Sequence, residues 1–450
     1  MTNKSQYNLL TCISMIVGVV IGSGIFFKSD NILMATNGNI FLGVLAFCIA
    51  AISIIFGSLT LSELAARTDK PGGIVSYAED AYGNGAACAL GWFQLLLYYP
   101  TTIAVVCYVV GIYTCMLFGI TATLKTQMII GIIVALAIIV VNILTKQVAT
   151  YFQTAATFIK LIPLFLIGIA GFLFGNPSSA VTVTSPELVS GSWLSALIPI
   201  VFAFDGWIVA TGISHNVRNA KKNVPLALII SPLIILFMYL LYFVGMSVYL
   251  GPEAIMSSGD HHVELATASL LGPWAAKGIL VFVIISVVAT ANGLATALFQ
   301  VPYSLAIRNM FPASPKIVQI NKKYNVPLYS YIIGGLIMFF WILVHYVTQA
   351  YNILPNSDIS EIAVTLNYVL FIGLYYEVLR LAFKGEIKSF FKGKVTPILA
   401  ILGSLIILYV GFQNKLFIVY VLICACILVS AYIYYHRKNG TVSETLPTED

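Results

Sequence analysis

Two interruptions of apolar runs, Val20-Ile21-Gly22-Ser23-Gly24 and Phe202-Ala203-Phe204-Asp205-Gly206, and two charged side chains, Lys160 and Asp205, are where this sequence can do chemistry. In hydrocarbon every backbone amide needs an internal partner, so a helix opens only where protein or a water-filled cavity satisfies the freed groups. Glycine permits the dihedrals of an unwound segment and lets a ligand approach the main chain. Amide groups freed at the start of the second half-helix would face an anion such as a carboxylate, helped by the helix dipole. Taken alone, Gly22-Ser23-Gly24 reads equally well as close helix packing through small residues. A second break in a corresponding span favours a shared midplane site, the layout of a secondary transporter.

Asp205 is the one acid in the middle of an apolar run, and a carboxylate there costs at least about 2.5 kcal/mol unless paired or hydrated. It either binds a substrate ammonium or basic side chain, or caps backbone amides at the break. Lys160 lies about 18 Å from either end of its span at 1.5 Å per residue, too far to snorkel. It needs an internal partner: Asp205, carbonyls at the first break, or Ser286 and Thr290. A fixed ammonium there can replace a coupling sodium ion, enter a proton cycle, or simply tie spans together. Phe202, Phe204 and Trp207 beside the second break include at least one candidate gate, and Tyr239 is a weaker candidate for the same cavity. Asp260-His261-His262-Val263-Glu264 sits in a loop without the spacing of a zinc hydrolase, and no phosphate-binding Gly-x-x-x-x-Gly-Lys motif occurs, so metal and ATP chemistry are not supported. No cofactor is expected.

The elements that must position these residues follow from composition. The 450 residues are 60% hydrophobic and only 9% charged, which fits a polytopic membrane protein rather than a soluble domain. Twelve spans are expected, at 9–36, 41–66, 84–118, 124–144, 148–174, 192–214, 225–250, 273–307, 327–348, 360–383, 395–412 and 416–436. With breaks in the first and sixth, spans 1 to 5 (residues 9–174) and 6 to 10 (192–383) read as an inverted repeat. Helices 11 and 12 (395–436) follow it, between a cytoplasmic N-terminus (1–8) and a cytoplasmic tail (437–450). The net charge of +6 sorts by side: loops such as Arg218 to Lys222 and Lys384 to Lys394 fall inside, whereas Lys28, Lys125 and Lys415 fall outside, placing both termini in the cytoplasm. That distribution argues against a nucleic-acid partner. The seven cysteines have no metal or redox spacing, and the first span lacks a cleavage site and is expected to stay in the mature protein.

At Ile21-Gly22-Ser23-Gly24-Ile25-Phe26, Ser62-Glu63-Leu64, Gly72-Gly73, Gly91-Trp92, Pro100, Lys160, Phe202 to Trp207 and Asn223-Val224-Pro225, the chain resembles the amino acid-polyamine-organocation superfamily, most closely bacterial relatives of the L-type amino acid transporters. The resemblance implies a sodium-independent amino acid exchanger working by alternating access in the cell membrane. It implies that Ser23 and Gly24 bind the substrate carboxylate, that carbonyls around Val20, Phe202 and Asp205 hold the amino group, and that Phe202 is the outer gate. Lys160 would stand where sodium-coupled relatives hold sodium. The chain departs from the pattern at His215-Asn216, where many relatives have two glutamates. The loop after the third span lacks a cysteine for a heavy subunit, so no such partner is expected. Small neutral amino acids (alanine, serine, threonine) are the expected substrates, with cationic amino acids or polyamines and proton symport as alternatives. A channel or a membrane-embedded enzyme fits less well, since the chain offers neither a repeated polar filter nor a cluster of catalytic groups.

Overall fold

The computed structural model describes residues 7–68, 70, 72–144, 146–176, 178, 192–212, 217–354 and 357–443. His215-Asn216, Asp69 and Pro71 of the turn before Gly72, and the tail from residue 444 lie outside them. The described chain is nearly all helix. It runs α1 (Leu9–Val20), α2 (Ser23–Ala35), α3 (Ile40–Ala65), α4 (Ile74–Tyr82), α5 (Asn84–Phe93), a π-helical turn (Gln94–Tyr98), α6 (Tyr99–Phe118), α7 (Leu124–Leu144) and α8 (Lys146–Phe174). After a 3-10 turn (Ser192–Ala196) come α9 (Leu197–Ala203), α10 (Val209–Gly212), α11 (Ala220–Leu250), α12 (Pro252–Ser258) and α13 (His262–Leu271). The chain ends with α14 (Pro273–Ala306), α15 (Ser314–Ile317), α16 (Leu328–Ala350), α17 (Ile359–Phe383), α18 (Thr396–Gly411) and α19 (Phe417–Ser443).

Among the described residues eleven helices are long and apolar enough to cross a membrane, and a shorter apolar helix covers Trp193–Ala203. The twelve-span reading therefore meets eleven clear crossings and a sixth segment that is too short by itself, because its helix ends at Ala203. Sequence chemistry sets the ends. Asn8, Asn39 and Asp358 accept backbone N–H groups at the starts of α1, α3 and α17, and Gly251-Pro252 and Gly272-Pro273 open α12 and α14 with glycine at positive φ and proline in the first turn.

The broken helices form the centre. α1 packs on α8, α11 and α14, and α9 packs on α2, α3 and α17. α7, α16 and α19 lie outside and present Ile133, Leu136, Leu336, Phe340, Ile418 and Leu422 outward, as a lipid-facing surface requires. Lys277, read from sequence as part of the eighth span, lies one turn into α14, at the end opposite the basic loops. The helices α12 and α13 stand where the sequence reading had only a loop.

Candidate functional site

The first break is two residues long: α1 ends at Val20, Ile21 is extended, Gly22 is neither helical nor in a strand conformation (φ −157°, ψ −132°), and α2 starts at Ser23. The last carbonyls of α1 lose their helical partners, and side chains from three other helices take them. Lys160 Nζ donates to Gly18 O, and Thr290 Oγ1 donates to Val19 O at 3.0 Å. The Tyr239 hydroxyl lies 2.9 Å from Val20 O and 2.7 Å from Ala203 O, so one phenol spans both breaks, and its single proton serves one carbonyl at a time. A Cβ on Gly22 would strike Thr290, and one on Gly24 would strike the Ala203 backbone. The glycines are thus required for close approach as well as for unwinding.

Lys160 is fully buried. Besides Gly18 O its ammonium reaches Ser286 O at 3.3 Å and Thr290 Oγ1 at 3.5 Å, three acceptors for three donors. Two of the partners expected from sequence are therefore present, Thr290 through its hydroxyl and Ser286 through its carbonyl, together with the first-break carbonyls. Asp205 is not among them: no ion pair joins it to Lys160 among the described residues.

At the second break α9 stops at Ala203, the chain turns through Phe204 to Ile208, and α10 resumes at Val209. Gly206 at φ +93° makes the turn, a conformation costly for any residue with a Cβ. Asp205 N–H returns to Phe202 O at 3.1 Å. The Asp205 side chain, 8% exposed, has its two oxygens 2.8 and 2.7 Å from the Tyr98 hydroxyl and also accepts from the Gly206 backbone. Tyr98 ends the π-helical turn of the third span. Such a turn carries one extra residue, which changes the direction of the side chains after it, and no composition signal announces it.

The aromatic residues divide. Phe204 is buried between Phe47 and Tyr239, with ring centroids 6.4 and 5.0 Å away. Trp207 donates to Tyr368 Oη at 3.2 Å and packs edge-on to Phe371. Both are wedged in the core. Phe202 instead faces a charge: Lys28 Nζ lies 5.2 Å from its ring centroid. Lys28 is not at the membrane surface, as its place in the sequence suggested, but 1% exposed and paired with Asp358 and Glu361. Sequence reading missed Tyr98, Tyr368 and this triad. His261, of the loop cluster, stands 3.4 Å from Glu264, and His262 is turned inward with Nδ1 2.6 Å from Gly259 O.

Residues 7–432 match the amino acid permease family. The chain is 27% identical to the serine/threonine exchanger SteT of Bacillus subtilis (strain 168) over 413 residues, 90% of each protein. It is 29% identical to the human b(0,+)-type amino acid transporter 1 over 306 residues, 64% of this chain and 60% of that one. Identity to the human cystine/glutamate transporter is 26% over 333 residues, 72% and 65% of the two chains. Broken helices with partnered carbonyls, eleven membrane-length helices and a match over nearly the whole chain together place the protein in the amino acid permease family, as a multi-span transporter.

Proposed function

We propose that the chain is a sodium-independent exchanger of small neutral L-amino acids such as alanine, serine and threonine, working by alternating access with both termini in the cytoplasm and no heavy-chain partner. The observation that carries this reading is Lys160, whose ammonium rests on the carbonyl end of α1 and on α14 and so supplies a fixed positive charge between the first and eighth spans. A site that carries its own cation has no need of sodium. The similarity to a serine/threonine exchanger along 90% of both chains supports exchange and the substrate class.

In this reading the N–H groups at Ser23 and Gly24, opening the 13-residue α2, take the substrate carboxylate. Carbonyls at Val20, Phe202 and Asp205 take the ammonium, with Ile21, Gly22, Ala203, Phe204 and Gly206 shaping the pocket. Tyr239 moves its proton between Val20 O and Ala203 O as the breaks approach and separate. Phe202 is the gate, and Trp207, fixed to Tyr368, acts as its stop. Spans 1 to 5 and 6 to 10 rock as inverted repeats about this point. A second reading, exchange of cationic amino acids, is favoured by one feature, the Asp205 carboxylate at the break.

The test is uptake of labelled alanine, serine, threonine and arginine into proteoliposomes in sodium-free buffer, with and without unlabelled amino acid inside. Uptake that depends on internal amino acid, with serine above arginine, is expected. Uptake driven by a proton gradient alone would make the protein a symporter, and arginine preference would favour the second reading.

A further inference from the structure

At the end of the bundle away from the basic loops, Lys28 of α2 is held by two carboxylates at the start of α17: Asp358 at 2.9 Å and Glu361 at 2.6 Å. All three groups are buried, at 1%, 3% and 5% exposure. The other Glu361 oxygen accepts from Ser357 Oγ at 2.5 Å, and Ser357 receives Asn414 Nδ2 at 3.3 Å. His345 lies close by, 1% exposed, with neither ring nitrogen hydrogen-bonded. An imidazolium without acceptors is too costly at such a site, so the ring is neutral. Two carboxyl groups therefore share one ammonium, and Glu361 divides its oxygens between Lys28 and Ser357.

Glu361 and Ser357 also line a cavity of about 470 Å³, together with Asn31, Gln413, Asn414 and Lys415. The carboxylate belongs to a buried side chain and the ammonium of Lys415 to an exposed one. One acid and one base, with amides and Ser357 on one part of the wall and Met34, Ile198, Ile353 and Leu354 on the rest, are the charge complement of a zwitterion with a small side chain. We infer that this cavity is an entry subsite for a free amino acid, upstream of the helix breaks: its ammonium binds Glu361 and its carboxylate faces Lys415.

The inference rests on the reading of the chain as an amino acid exchanger. Binding makes the incoming ammonium a competitor of Lys28 for Glu361. Because Lys28 also sits over the Phe202 ring, weakening its hold on Glu361 loosens the contact that keeps Phe202 in place. Arrival of substrate is thus linked to release of the gate by exchange of one ammonium for another on the same carboxylate.

Glu361→Gln keeps the side-chain size and leaves Lys28 a one-to-one pair with Asp358. In right-side-out vesicles the variant should raise the half-saturating concentration of external L-serine about tenfold, the loss of one charge-assisted hydrogen bond. In inside-out vesicles it should leave the value unchanged. Lys415→Gln, at the exposed rim, should raise the external value alone by a smaller factor. An equal rise on both sides, or none, overturns the subsite. A second readout does not need transport: a cysteine at Gln413→Cys is labelled with an impermeant maleimide, with and without L-serine. Protection that disappears in Glu361→Gln supports the subsite, and absence of protection overturns it. If wild-type vesicles exchange no amino acid, the functional reading fails, and the labelling result still decides for the cavity.

Discussion

The two helix breaks are held by side chains of opposite kind, one basic and one acidic. At the first, a cation takes the carbonyl end of α1: Lys160 on Gly18 O, with Thr290 and Tyr239 on the next two carbonyls. At the second, a carboxyl group lies against a freed amide: Asp205 accepts from Gly206 N–H and from Tyr98. A helix carries partial negative charge at its C-terminus, so Lys160 complements the end of α1, whereas Asp205 is held by two individual donors in the turn after α9. The comparison teaches that Lys160 and Asp205 are not a salt bridge across the site but two separate devices, and they should fail separately.

The largest effect is expected at Lys160. Lys160→Met keeps the apolar bulk and removes the amino group that serves three acceptors. It leaves Gly18 O without a donor, at about 1–3 kcal/mol, or roughly ten- to a hundredfold. Exchange in proteoliposomes should fall by that factor while the amount inserted in the membrane is maintained. Unchanged exchange would remove Lys160 from the mechanism and leave it a structural tie.

Asp205 and Tyr98 come next. A typical side-chain hydrogen bond is worth about 1 kcal/mol net, so Tyr98→Phe and Asp205→Asn should each shift the ratio of serine to arginine exchange severalfold. Because they share one interaction, the double variant should add little to either single change. Additive effects would mean that Tyr98 does not act through Asp205. A substrate profile identical to wild type in Asp205→Asn would leave the carboxylate as a cap only. The same cycle between Lys160 and Asp205 should be additive, and strong coupling there would break the comparison.

How much of this was legible depends on the range of the signal. Membrane spans are local, and the sparse charge made their limits readable: 84–118 and 124–144 are helical throughout, apart from the π turn at Gln94–Tyr98. Both breaks were visible because glycine, serine and aspartate are out of place in an apolar run. The partners of Lys160 were readable in kind because span five is too long for snorkelling, although Ser286 contributes its carbonyl and leaves its hydroxyl unpartnered. The Lys28 triad was not legible, since 330 residues separate Lys28 from Asp358 and a lysine near a span end reads as an interface anchor. Tyr98 was hidden for another reason: the register of a span with a π turn cannot be counted at 3.6 residues per turn.

Gly206 sharpens the account of the second break at smaller cost. At φ +93° an added Cβ is strained, and it also meets Val19 Cγ1 at 2.7 Å, on the segment that Lys160 holds. Gly206→Ala should lower stability by about 1–2 kcal/mol, seen as a lower midpoint in thermal unfolding of the detergent-solubilised protein. An unshifted midpoint would mean that the two breaks are not in fixed contact.

The smallest effect is expected at Asp260, outside the spans. Asp260, between α12 and α13, is half-buried and receives no hydrogen bond among the described residues; desolvation first, then the neighbouring Asp30 carboxylate, pushes it up to about 7, against the lowering influence of Lys28 and His261. A carboxyl raised in the folded state contributes stability that is full below its ordinary value of 3.8 and is lost as pH rises through about 7. His262 works the other way: burial lowers it from 6.5, so its contribution is present above 6.5 and lost as pH falls. Above 6.5 Asp260 therefore dominates, and docking of the α12–α13 segment should weaken, by no more than about 1 kcal/mol, between pH 6.5 and 8. Hydrogen exchange over residues 252–271, corrected for intrinsic rates, should show less protection at pH 8 than at 6.5, and Asp260→Asn should abolish the difference. Equal protection at both values in the wild-type protein would mean that Asp260 is already ionised at pH 6.5, and that burial without donors does not by itself hold a proton in this protein.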